Sequence, residues 1–250
     1  MSAPGFAARL RQLRSKRYED WWHIVFGGPV GVFLAALVAE VRWITPNRVT
    51  LVGFAMRLVA AGLLQVGSRG ADVTVVVLLQ VSIALDIMDG SLARYRRQPS
   101  ALGAFLDKIT DGASLAVLSL CLGARAFADG YGVGTVLAAA FIGSSYLLRC
   151  YMYWVVAYME QERGMTASVG PKAMRAFGEL SLGERMRYYL ASSWRILLAG
   201  EGDVYFWLGL FLLLGCPGAM VVPLAGVMAF WTFTITAKRV LRVMQLDARR

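Results

Sequence analysis

Six apolar stretches dominate the chain, at 48–67, 72–94, 103–127, 132–158, 204–217 and 219–241. A helix needs roughly 20 apolar residues to cross about 30 Å of hydrocarbon, and most of these runs reach or approach that length. The fifth is short for a span and ends in "GCPG". Composition points the same way: of 250 residues, 58% are hydrophobic and only 17% charged, where a soluble domain carries about 25% charged residues. The sequence predicts an all-α integral membrane protein, with residues 44–250 forming one six-transmembrane-helix bundle.

The first 43 residues read differently. Phe6, Leu10, Leu13 and Tyr18 fall on one helical face of a basic stretch, and Trp21, Trp22 and His23 follow where aromatic rings favour a headgroup boundary. The run Val30 to Val41 is about a dozen residues, short for a span. Residues 1–43 are therefore expected to be a juxtamembrane segment with an amphipathic helix, or two, lying along the interface. No second histidine exists to share a metal with His23, so His23 reads as an interfacial residue. No small-residue cleavage site closely follows the first apolar run, so no cleavable signal peptide is expected. In "ITPNRVT", Pro46 marks a helix start, with Thr45 and Asn47 as capping candidates.

Six spans put both termini on one side of the membrane. That side collects Arg9 to Arg17, Arg42, Arg48, Arg96, Arg97, the basic residues from Arg163 to Arg195, and Lys238 to Arg250. The opposite loops offer only Arg69 and Arg125. By the positive-inside rule the termini are cytoplasmic, and a multi-pass protein of a bacterial or archaeal inner membrane is expected. The long cytoplasmic loop 160–203 contains Met186, Tyr189, Leu190, Trp194, Leu197 and Leu198 at helical spacing against Arg185, Arg187 and Arg195. That pattern predicts an amphipathic helix on the inner leaflet. The net charge of +10 is thus spent on topology and anionic lipid headgroups, and nucleic acid is not an expected partner. Cys121, Cys150 and Cys216 lie far apart in apolar stretches and read as packing residues.

Against this background, "DIMDGSLARYRRQPSALGAFLDKITD" (86–111) places four aspartates at the cytoplasmic end of the second and third spans. Asp86, Asp89 and Ala93 share one helical face, and Gly103, Asp107 and Asp111 share a face of the next helix. The connection is short, so the helices are expected to be antiparallel neighbours whose four carboxylates converge. Unpaired, each would cost a few kcal/mol to insert. Bound cations relieve that cost, and an all-oxygen site suits Mg²⁺ or Mn²⁺, two ions being the standard arrangement for displacement at phosphorus. Gly90, Ala93 and Gly103 remove bulk beside the acids, while Arg94 offers a fixed cation to a phosphate oxygen. Together they point to a pyrophosphate-bearing substrate. A purely structural role would have Arg94 and Lys108 neutralise the acids, but two cations do not balance four carboxylates.

Written out, the stretch is Asp86-x2-Asp89-Gly90-x2-Ala93-Arg94-x8-Gly103-x3-Asp107-x3-Asp111. It resembles, at every fixed position and gap, the signature of the CDP-alcohol phosphotransferase family. "TPN" followed by "VT" before the first span, and the six-span layout, are similar as well. The resemblance implies an enzyme of phospholipid biosynthesis that binds a CDP-linked alcohol, usually CDP-diacylglycerol. An acceptor hydroxyl attacks the β-phosphorus and CMP leaves. It further implies that Asp86, Asp89 and Asp107, with help from Asp111, hold two divalent ions, and that Asp111 is the general base. Gly90, Ala93, Arg94 and Gly103 would border the nucleotide, joined by Asn47. Homodimers are the family's habit.

The acceptor is read from lone arginines at depth. Arg149, with Ser145 nearby, lies in the fourth span, and Arg57 lies midway along the first. Such residues suit an anionic acceptor such as inositol phosphate or glycerol phosphate. "EDWW" and "ITPNRVT" look closest to inositol phosphate branches, yet the "KIT" between the last two aspartates and Gly112 after Asp111 depart from them. Two other readings stay open: an intramembrane cation transporter, and a CDP-choline or CDP-ethanolamine type of transferase acting on a lipid alcohol.

Overall fold

The computed structural model describes residues 5–13, 20–165, 181–198 and 200–247. Tyr18, the basic residues Arg14, Lys16, Arg17 and Arg250, and the stretch 166–180 of the long loop lie outside the described residues. Every element described is helical. The order is α1 (Phe6–Leu13), a π-helical turn (His23–Gly27) running into α2 (Gly28–Val38), α3 (Pro46–Leu63), α4 (Arg69–Tyr95), α5 (Ala101–Ala128) and α6 (Val133–Glu162). After the loop come α7 (Leu182–Ser192) with a 3₁₀ extension (Ser193–Leu198), α8 (Glu201–Leu213), a 3₁₀ turn (Pro217–Met220) and α9 (Val221–Asp247).

Four helices are long and apolar enough to cross a membrane: Arg69–Tyr95, Ala101–Ala128, Val133–Glu162 and Pro217–Asp247. They coincide with four of the six expected spans. The other two are helical but fall short of that standard, so a count of six is not reached by length and composition. Asn47, Arg48 and Arg57 dilute the apolar character of α3, and α8 has only 13 residues, about 20 Å of helix. Large apolar side chains face outward along the long helices, among them Val77, Val81, Leu120, Phe127, Leu137, Leu148, Phe230 and Phe233. Water would penalise such a surface, and lipid would not.

The interior divides into two clusters. The larger joins Ala60 of α3 and Leu64 just after it, Leu79 and Ile83 of α4, Leu115 and Leu118 of α5, Ile142 of α6, Tyr205 and Leu208 of α8, and Met228 of α9. The smaller joins Leu13 of α1, Val32, Ala35 and Ala36 of α2, Val49 of α3, and Ile87, Met88 and Leu92 of α4. There α2 crosses α4 almost backbone to backbone: a Cβ on Gly31 would lie 2.5 Å from the Ala84 carbonyl oxygen. On α1, Leu13 is buried and Leu10 half-buried, while Phe6 to Ala8, Arg11 and Gln12 are exposed.

Two arginines read from the sequence as topology signals have structural work. Arg96 donates to the carbonyls of Val38, Ala39, Val41 and Ile44 at 3.0, 3.0, 3.0 and 2.7 Å, tying down the end of α2 and the turn after it, where carbonyls no longer have i+4 helical partners. At the other end of the bundle Arg125, only 9% exposed, donates to Asp129 at 2.8 Å and to the Leu64 carbonyl at 2.9 Å. In the long loop, Ser181 and Glu184 form a capping box that starts α7. Met186, Leu190, Trp194 and Leu197 are exposed there. The 3₁₀ extension is tied down where Trp231 Nε1 donates to the Leu197 carbonyl at 2.6 Å.

Candidate active site

Local chemistry sets the two motif helices. Thr45 caps α3, its hydroxyl accepting from Arg48 N–H at 3.4 Å, and Pro46 takes the first helical position. Asn47 is thereby released to face inward. α4 ends in a Schellman turn: Arg97 takes a positive φ of 53°, and Gln98 N–H reaches back to the Ala93 carbonyl at 2.9 Å. Ser100 then caps α5, accepting from Gly103 N–H at 2.9 Å. The reversal takes only a few residues. Nonetheless α4 and α5 make little direct contact, and both pack on α3. The close neighbours expected from the short connection are held apart at this end by a cavity.

That cavity has a volume of about 310 Å³, and all eight fixed residues of the motif line it: Asp86, Asp89, Gly90, Ala93, Arg94, Gly103, Asp107 and Asp111. Asn47 lines it as well. The glycine at 103 lets three groups crowd one corner, since a Cβ there would lie 3.0 Å from both Asn47 Oδ1 and Ser100 Oγ. Arg94 lies across Gly90, its Nη2 donating to Ser91 Oγ at 3.3 Å.

Three of the four acids converge. One ligand atom from each of Asp86, Asp107 and Asp111 falls within 4.8 Å of the others, a spacing fit for a metal ion. All donors in this group are carboxylate oxygens, which suits hard divalent cations. Asp89 is not part of that group. It lines the same cavity but accepts a short hydrogen bond from the Thr50 hydroxyl.

Among the described residues, two cations are placed against the acids. Lys108 Nζ lies 2.6 Å from Asp107 Oδ2 and 3.9 Å from Asp111 Oδ2. The second is Arg57. Its guanidinium lies 3.0 Å from Asp111 Oδ1, 3.6 Å from Asp86 Oδ1 and 2.8 Å from Glu201 Oε1. Of the residues expected to meet the acceptor, Arg57 is therefore turned to the acid cluster. Ser145 is buried within α6. Arg149 lies over the Tyr146 ring at 5.6 Å and donates to Met228 Sδ at 3.0 Å. These three are not among the residues lining the cavity.

Sequence reasoning missed Thr50 and Glu201. Thr50 follows Asn47 by three residues, so a face shared with Asn47 was readable in "NRVT". Glu201 stands just before the fifth apolar run, and nothing in its spacing links it to a residue on the first.

No curated protein matches the chain. The family model for CDP-alcohol phosphatidyltransferase matches residues 43–183, more than half of the chain, from the approach to α3 through α6. Every residue lining the cavity falls within the match, whereas Glu201, α8 and α9 fall beyond it. A match of that extent, with its whole motif gathered on one cavity between apolar helices, makes this chain a member of the CDP-alcohol phosphatidyltransferase family, transferases that move a substituted phosphate from a CDP-linked alcohol to an acceptor.

Proposed function

We propose that this protein transfers the phosphatidyl group of CDP-diacylglycerol to the hydroxyl of a small anionic alcohol such as inositol phosphate or glycerol phosphate, releasing CMP. The observation that carries this reading is the cavity itself, lined by all eight motif residues with three carboxylates drawn to within 4.8 Å. In this reading α3, α4, α5, α6, α8 and α9 are six spans, α1 and α2 lie along the interface, and both termini and the cavity face the cytoplasm. α3 and α8 then count as spans because their neighbours, and not lipid alone, surround their polar residues.

Each residue has a task. Asp86, Asp89, Asp107 and Asp111 would hold two divalent ions, Mg²⁺ or Mn²⁺. When bound, such ions neutralise charge on the pyrophosphate and on the departing CMP. Gly90, Ala93 and Gly103 admit the nucleotide against backbone, Asn47 faces it from α3, and Arg94 takes a phosphate oxygen. Asp111 accepts the proton of the acceptor hydroxyl as that oxygen bonds to the β-phosphorus and the bond to the CMP oxygen breaks. Arg149 and Ser145 remain the proposed acceptor contacts. Arg57 leaves that set, its guanidinium being engaged by three carboxylates.

The test is a panel. Purified protein with CDP-diacylglycerol and Mg²⁺ or Mn²⁺ is offered inositol, inositol phosphate, glycerol phosphate or serine, and separately diacylglycerol with CDP-choline or CDP-ethanolamine. CMP release that depends on an anionic acceptor supports the reading. Release only with CDP-choline or CDP-ethanolamine, or only with a neutral acceptor, overturns the substrate assignment.

A further inference from the structure

Behind the cavity's acids lies a second layer of charge that the motif does not contain. Glu201 at the start of α8 is 6% exposed, and Arg57 on α3 is 3% exposed. Their contact, at 2.8 Å, is the shortest of the three that the guanidinium makes with carboxylates. Both groups are held in place. The Tyr205 hydroxyl donates to Glu201 Oε1 at 2.8 Å, and the Tyr205 ring centre lies 5.7 Å from the Arg57 guanidinium carbon. Arg57 also donates to Ser82 Oγ and Ser114 Oγ, each at 3.4 Å.

A buried ion pair is a poor device for stability, because desolvation offsets most of its Coulomb attraction. Its charge balance is more telling. A guanidinium set against Asp86 and Asp111 is a resident cation at the place where divalent ions would bind, and by itself it would weaken them. A third carboxylate, Glu201, which shares Nη1 with Asp111, offsets that charge. We infer that Glu201 is a positioning residue for the metal site: it holds Arg57 and offsets its charge, so that Arg57 orients Asp111 and Asp86 without neutralising them. This rests on the reading of Asp86, Asp107 and Asp111 as metal ligands. It assigns to α8, outside the family match, a share in the site.

Mn²⁺ binding followed by electron paramagnetic resonance, on purified protein in detergent without substrate, tests it. Glu201→Gln keeps the shape and the hydrogen-bond acceptor but removes the charge. It is expected to weaken Mn²⁺ binding of the folded protein about tenfold, the size of effect that about 1.4 kcal/mol of unbalanced charge produces. Arg57→Gln is expected to bind Mn²⁺ more tightly than wild type, even as CMP release falls because Asp111 loses the bond at Oδ1. The pair Arg57→Gln with Glu201→Gln is expected to return to near wild-type affinity. A Mn²⁺ affinity untouched by Glu201→Gln, or weakened by Arg57→Gln, overturns the inference. Should Glu201→Gln not fold, Arg57→Gln and the paired variant decide on the same scale. Asp107→Asn separates the two levels: if it binds Mn²⁺ as wild type does, the metal-site reading itself fails.

Discussion

Replacing Gly103 by alanine separates a substrate role for this position from a packing one. Gly103 occupies the first turn of α5, and a Cβ there would lie 3.0 Å from Asn47 Oδ1 and from Ser100 Oγ. Both are side-chain ends, so a shift of a few tenths of an ångström relieves the crowding. Alanine in a helix gains about 0.5–1 kcal/mol over glycine, and disturbing the Ser100 cap costs about 1 kcal/mol. The two nearly cancel, which leaves stability within about 1 kcal/mol and Tm within about 4 °C of wild type. The cavity corner does not recover so easily. A methyl group pressed into a site that must accept a ligand costs about 1–3 kcal/mol, or roughly 5- to 150-fold in kcat/KM for CDP-diacylglycerol. Gly62→Ala on α3, where a Cβ meets nothing within 4 Å, serves as the control and is expected to leave kcat/KM unchanged. CMP release measured against CDP-diacylglycerol concentration, beside a thermal melt in detergent, reads both quantities. A Gly103→Ala protein with wild-type kcat/KM would show that no ligand meets the backbone here.

Three further outcomes are expected. Asp111→Asn abolishes turnover while CDP-diacylglycerol still binds by calorimetry; normal CMP release by that variant removes Asp111 as the base. Arg96→Ala, which strips four carbonyls of a charged donor, lowers unfolding stability by about 3 kcal/mol. Arg96→Lys recovers only part of that loss, since one ammonium does not span four acceptors; full recovery on thermal melting would count against the fork as the cause. The third is a pH effect at the interfacial segment, where His23 Nδ1 lies 3.0 Å from Asp20 Oδ2. Burial pulls His23 down, but the Asp20 hydrogen bond and charge outweigh it and raise the pKa above 6.5. The contribution of protonated His23 is thus complete below pH about 6.5 and lost as pH climbs through the higher folded value. Asp20, pushed up by burial yet held below 3.8 overall by His23, weakens the pair only in strong acid. Tm relative to His23→Gln should therefore decline above neutrality, and parallel Tm–pH curves for the two proteins would dismiss the pair.

What the sequence determined by itself was local and periodic. Run length and hydropathy gave helices at all six expected positions, because a chain in lipid has few other ways to satisfy its backbone. Period alone put Asp86 and Asp89 on one face and Asp107 and Asp111 on another, and Thr45 and Pro46 announced the start of α3. The sequence also carried the family, since the motif's gaps are themselves helical spacings. Tertiary structure decided the relations between helices. It wedged α4 and α5 apart on α3 to open a cavity, turned Asp89 to Thr50, and gave Arg96 to four carbonyls at and just beyond a distant helix end. Above all it brought Arg57 and Glu201 together across 144 positions of sequence, in a contact set by where α8 packs against α4. No periodicity reports such a pair, because spacing along a helix fixes the face a side chain takes and says nothing of which other helix will meet it.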